Sequence, residues 1–150
     1  MRIAFLAAAA ILAVSPAIAS DKDDAMATVK KFDSSFNAGD SKAIFATCAP
    51  QSIIIDDFAP HVWQGATACQ DWLKDLDAYN KKSGIGPGIV TLGTPWHVDV
   101  TGDRGYVVVP VTYSYKQNGK PVVESGSIWT LALQKQGASW RITGWAWAQH

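Results

Sequence analysis

Residues 106–134 read YVVVPVTYSYKQNGKPVVESGSIWTLALQ, two β-branched and aromatic runs on either side of Asn118-Gly119. Both turn residues tolerate positive φ, which makes Asn-Gly the strongest short hairpin signal, so Tyr106 to Lys116 and Pro121 to Gln134 pair as antiparallel strands. Working outward, Ile89 to Val100 joins this hairpin across Thr101-Gly102-Asp103, and Trp140 to Ala148 joins it across Gln136-Gly137-Ala138. Four strands linked by three short turns form an antiparallel meander. Pro110 has no N–H to give a ladder, which puts its strand at a sheet edge or at a bulge. Gly144 is expected to bulge the last strand and return Trp145 and Trp147 to the inner side shared by Trp140 and Ile142.

Upstream of the meander the apolar period changes from two to between three and four. Ala25, Met26, Val29, Phe32 and Phe36 form one stripe of a helix that ends at Asn37-Ala38-Gly39. Asp40 suits the cap of a second, short helix through Ala43, Ile44 and Phe45 to about Cys48, and Pro50 blocks its continuation. Ser52 to Asp57 opens with three isoleucines and reads as the first strand. Cys69, Trp72, Leu73 and Leu76 mark a third helix between Gly65 and Tyr79. Helices followed by a meander predict an α+β domain, with three N-terminal helices packed on one face of a curved, mainly antiparallel sheet.

The chain has 150 residues, enough for one domain. Thirteen basic and thirteen acidic side chains give no net charge, and no basic field is present to attract nucleic acid. Residues 1–19 carry Arg2, an apolar run from Ile3 to Val14 and the small-x-small pair Ala17 and Ala19, which read as a signal peptide cleaved after Ala19. That run of twelve is shorter than the roughly 20 apolar residues a membrane span needs. The expectation is a single domain over residues 20–150, exported to the periplasm or secreted, with no membrane association after cleavage. In an oxidising compartment Cys48 and Cys69 can pair as a disulfide; the alternative is two buried thiols.

The order helix, short helix, strand, helix and four-stranded meander, with Phe36-Asn37-Ala38-Gly39-Asp40 and Trp140-Arg141-Ile142-Thr143-Gly144-Trp145 at its breaks, resembles the nuclear transport factor 2-like superfamily, SnoaL-like branch. The resemblance spans Ser20 to His150. It implies a cone-shaped α+β barrel with a pocket, and often a homodimer. Members include isomerases, dehydratases, hydrolases, cyclases and non-catalytic domains, so the fold leaves the function open.

Candidate chemistry rests on Asp56 and Asp57, which follow the isoleucine run; strand alternation turns only one of them inward. A carboxylate leaving an apolar strand is poorly hydrated and becomes a better proton acceptor near neutral pH. In ketosteroid isomerase-like members the base follows this strand in a Glu-Asp-Pro setting. Ile55-Asp56-Asp57 is similar, with Asp56 at the base position, but Ile55 stands for Glu and Asp57 for Pro. The other reading has both aspartates solvated or capping a turn before Phe58-Ala59-Pro60. His61 lies in a loop that can reach the mouth of the cone near Asp56. Trp63, Trp129, Trp145 and Trp147 are candidates for rigid apolar walls around a small-molecule ligand.

His97 and Asp99 share a strand face expected to meet solvent. Glu124, the only Glu in the chain, is grouped by alternation with Ile128 and Thr130, and either faces water or has a partner such as Arg141 on the next strand. Arg104 and Arg141 are the arginines left after cleavage and could hold an anion. No cofactor or metal is implied: His61, His97 and His150 have no converging spacing, and Gly84-Ile85-Gly86-Pro87-Gly88 precedes a strand. Three functions fit the sequence. They are a binding domain for a small, largely apolar molecule, a cofactor-independent acid/base enzyme using Asp56 with help from His61, and an interaction module with a plugged pocket. A homodimer would form through the outer sheet face.

Overall fold

The computed structural model describes residues 20–149. The expected signal peptide, residues 1–19, lies outside the described residues. The elements run α1 (Asp21–Asn37), α2 (Ser41–Thr47), β1 (Cys48–Ile55), β2 (Val62–Gly65), α3 (Ala68–Ser83), β3 (Ile89–Leu92), β4 (His97–Thr101), β5 (Arg104–Gln117), β6 (Lys120–Gln136) and β7 (Ser139–Ala148). One sheet has the order β2-β1-β7-β6-β5-β3, and β4 also pairs with β5. All pairs are antiparallel except β1 with β7, which is parallel.

The helices form where the chain supplies both a stripe and a cap. Ser20 and Asp23 make a reciprocal capping box at the start of α1, satisfying donors the first turn leaves open. The Asp40 carboxylate accepts from the Ala43 N–H at the start of α2. Ala25, Met26, Val29 and Phe32 are buried, so the α1 stripe seals one side of the core. The Asn37 side-chain amide donates to the Val90 carbonyl and accepts from the Val90 N–H, both at 2.8 Å, which clamps the end of α1 to β3. Packing α1 over β7, β3 and β4, and α3 over β1 and β2, leaves the space between the two helices to be closed by side chains.

Three local readings are corrected. The run Ile89 to Val100 is two strands, because Gly93 and Pro95 interrupt it. The Gly93 N–H donates to the Pro110 carbonyl, so the ring nitrogen of Pro110 faces the same gap between β3 and β4, where no ladder donor is needed. The chain after Pro60 is not all loop: Val62–Gly65 pairs with β1 as β2. The first strand begins at Cys48 and ends at Ile55, leaving Asp56 and Asp57 just past it.

Two bulges set which side chains face inward. Opposite Val111 and Thr112 on β5 stand Ser127 and Ser125 on β6, so Gly126, with φ +85, is an extra residue. Opposite Leu133 and Ala132 stand Ile142 and Gly144, so Thr143 is extra on β7. The second bulge changes the inward set from Trp140 and Ile142 to Trp145 and Trp147, the expected result, but its extra residue is Thr143 and not Gly144, which pairs with Ala132. Cys48 at the head of β1 and Cys69 in the first turn of α3 are joined as a disulfide. On the loop-entropy model a link across 21 residues stabilises the fold by about 3 kcal/mol.

Candidate functional site: an aromatic cone with buried carboxylates

A cavity of about 270 Å³ lies between α1, α3 and the inner sheet face. Its inner wall is aromatic because Phe32 from α1, Trp72 from α3, Trp129 from β6 and Trp145 from β7 converge. The Phe32 ring centre is 5.2 Å from those of both Trp129 and Trp145, and Trp72 meets Trp145 edge-on at 5.1 Å. Trp147, Phe36, Phe58 and Tyr79 extend the lining. Of the tryptophans expected as walls, Trp129, Trp145 and Trp147 stand around open space, and Trp63 does not.

Asp56 reaches this cavity through strand alternation. Ile54 is completely buried, and Asp56, two residues on, continues its inward direction past the end of β1. The Trp72 indole N–H donates to Asp56 Oδ2 at 2.8 Å, and the Asp57 N–H donates to Oδ1 at 2.8 Å. Burial pushes the Asp56 carboxyl up to about 7; the Trp72 bond opposes that rise only in part. Asp57 is exposed at the cavity rim.

Asp33 is a site residue the sequence reading passed over. It follows Val29 by four residues and precedes Phe36 by three, so it interrupts the apolar stripe of α1, and that position was the available signal. Its Oδ1 is buried with no hydrogen-bond partner among the described residues. Loss of water raises the Asp33 carboxyl to about 6.

Glu124 is also in the cavity lining, and its expected pairing with Arg141 does not form. The Gly126 bulge reverses alternation, so Glu124 faces inward on the opposite parity from Trp129 and Leu131. Strand β7 ends at Ala148 opposite Ile128 and never runs beside Glu124. The partner is instead Tyr115, whose hydroxyl donates to Glu124 Oε1 at 2.6 Å. That bond raises the Tyr115 phenol to about 12. The Tyr113 ring lies tilted beside it at 4.8 Å, and its phenol is raised by burial, then by the nearby Glu124 charge.

Other candidates fall outside the cavity. His61 is exposed, with φ 72, and its Nδ1 lies 3.2 Å from the backbone oxygen of Asp56, not from the carboxylate. Trp63 is buried in β2, packed at a tilt against Phe58, and donates its indole N–H to Asp75 at 2.9 Å. His97 and Asp99 are exposed and 3.9 Å apart, as expected of a solvent-side pair. Arg104 is exposed beside Asp103. Arg141 borders a separate depression with Cys48, Cys69 and Gln70, away from the cone.

No protein-family model matches the sequence, and no curated protein matches it. Solved structures do match the fold. A nuclear transport factor 2-like protein with a cystatin-like fold from Novosphingobium aromaticivorans aligns with TM-score 0.68 and 16% identity, over 86% of this chain and 81% of that one. A ketosteroid isomerase-like protein from Erwinia carotovora atroseptica gives 0.65 and 14% over 84% and 93%. The S. rosetta CaMKII hub gives 0.71 and 15% over 89% and 99%. Three helices closing a curved, mostly antiparallel sheet, with these neighbours, identify the chain as having the nuclear transport factor 2-like cone fold.

Proposed function

We propose that this is an exported domain that binds a small, flat, largely apolar molecule in the cone. The observation that carries the reading is the 270 Å³ cavity with an aromatic wall built from Phe32, Trp72, Trp129 and Trp145. The neutral probe 2-naphthylmethanol should quench tryptophan fluorescence along a saturable curve, with a dissociation constant on the order of 100 µM for a ligand of this size. Quenching that stays linear in probe concentration contradicts the reading. Export predicts that the protein from the periplasm or medium begins at Ser20 and has the mass of the oxidised Cys48 and Cys69. A full-length, reduced chain contradicts it.

A second reading, general-base catalysis by Asp56, is supported by a carboxyl raised to about 7 inside a cavity that can hold substrate. His61 has no part in this version, since its ring meets only the backbone. Negative charge developing on a substrate oxygen would have to be met by neutral donors in the lining such as Tyr113, Asn80 and Gln117. Self-association through the outer sheet face is supported by Ile53, Ile55 and Val62, which are 47%, 48% and 48% exposed and lie together on β1 and β2. Sedimentation giving a dimer that Ile55→Lys dissociates is the expected result; a wild-type monomer contradicts it.

A further inference from the structure

The charge of the cone is one-sided. Asp33 enters from α1, Asp56 and Asp57 from the segment after β1, and Glu124 from β6. The other titratable groups facing the space are phenols, Tyr79 from α3 and the pair Tyr113 and Tyr115 from β5. Among the described residues no Lys, Arg or His lines it. A carboxylate removed from water needs a counter-charge or donors, and the absence of both is costly. Asp56 has Trp72, and Glu124 has Tyr115. Asp33 has neither: the residue is in the cavity lining, and its Oδ1 is buried without a partner among the described residues. The same walls present aromatic faces, which attract cations through the ring quadrupole.

Resting on the binding reading above, we infer that the polar group of the ligand is a cation, a protonated amine carried on an aromatic or alicyclic frame. The frame lies against Trp129 and Trp145, and the ammonium group supplies the charge that the chain withholds from Asp33. A carboxylate-bearing ligand of the same shape is excluded by the same field. The carboxyls of Asp33 and Asp56 are held neutral below about 6 and 7, so the attraction grows as pH rises through that range.

The test uses three probes of one shape by titration calorimetry: 2-naphthylmethylamine, 2-naphthylmethanol and 2-naphthoate. At pH 8 the amine should bind roughly tenfold tighter than the alcohol, with the acid weakest. The amine's advantage should shrink at pH 5 and in Asp33→Asn, a near-isosteric change that removes a poorly solvated charge. Equal affinity of amine and alcohol at pH 8, or an advantage unchanged at pH 5 and in Asp33→Asn, overturns the inference and leaves the apolar pocket standing. Failure of all three probes to bind overturns the pocket reading and the inference together.

Discussion

Asp56→Asn is expected to lower the rate of α-proton exchange in 2-tetralone by about 100-fold or more, if the domain turns over carbonyl compounds by the second reading. The chemistry is a closed cycle. The carboxylate takes a proton from the carbon between ring and carbonyl, the C–H electron pair moves into the enolate, and the same carboxyl returns a proton that has exchanged with solvent deuterium. Asparagine keeps the shape and can still accept from the Trp72 N–H at its amide oxygen, but it cannot hold the proton. Deuterium incorporation followed by mass spectrometry reads the rate. An unchanged rate in the variant removes Asp56 from the chemistry. A wild-type rate equal to the protein-free rate removes the catalytic reading for such ketones and does not touch ligand binding.

The largest expected effect on the fold comes from Gly144→Ala, about 3 kcal/mol of destabilisation. Gly144 pairs with Ile53 where β1 and β7 run parallel, and a Cβ there would lie 2.5 Å from the Ile53 carbonyl oxygen and 2.9 Å from its Cγ2. A side-chain tip can rotate away; a backbone carbonyl moves only if the strand moves. Displacing β1 shifts Ile54 out of the core and Asp56 away from Trp72, so stability and site geometry fall together. Urea unfolding measures the loss. An unfolding free energy within about 0.5 kcal/mol of wild type means that β1 and β7 are not this close.

These residues also show what one sequence can and cannot carry. The meander was legible because hairpin information is local: Asn118-Gly119 sits between its own strands. The parallel contact of β1 with β7 joins positions about ninety residues apart, with no turn to announce it. Strand β2 was missed because four residues after Pro60 and His61 give too short a pattern, and Trp63, read as a ligand wall, is a core residue of that strand. That one of Asp56 and Asp57 turns inward was legible from alternation; which one was not, because three consecutive isoleucines do not say which of them is buried, and Ile54, completely buried, decides it for Asp56. Glu124 was placed on the wrong face because one inserted glycine, Gly126, inverts everything before it, and Ser125-Gly126-Ser127 was the interruption to notice. Asp33 is the reverse case, a charge on an apolar helix stripe whose significance appears only when the cavity beside it is seen.

Asp56 sits as a poorly hydrated acid in the aromatic cone. Carbon-13 NMR titration of the aspartate side-chain carboxyls, with Asp56→Asn to assign the resonance, measures this directly. The expected Asp56 midpoint is about 7; a midpoint near 3.8, the ordinary aspartate value, would place the carboxylate in water and contradict its burial in the cone.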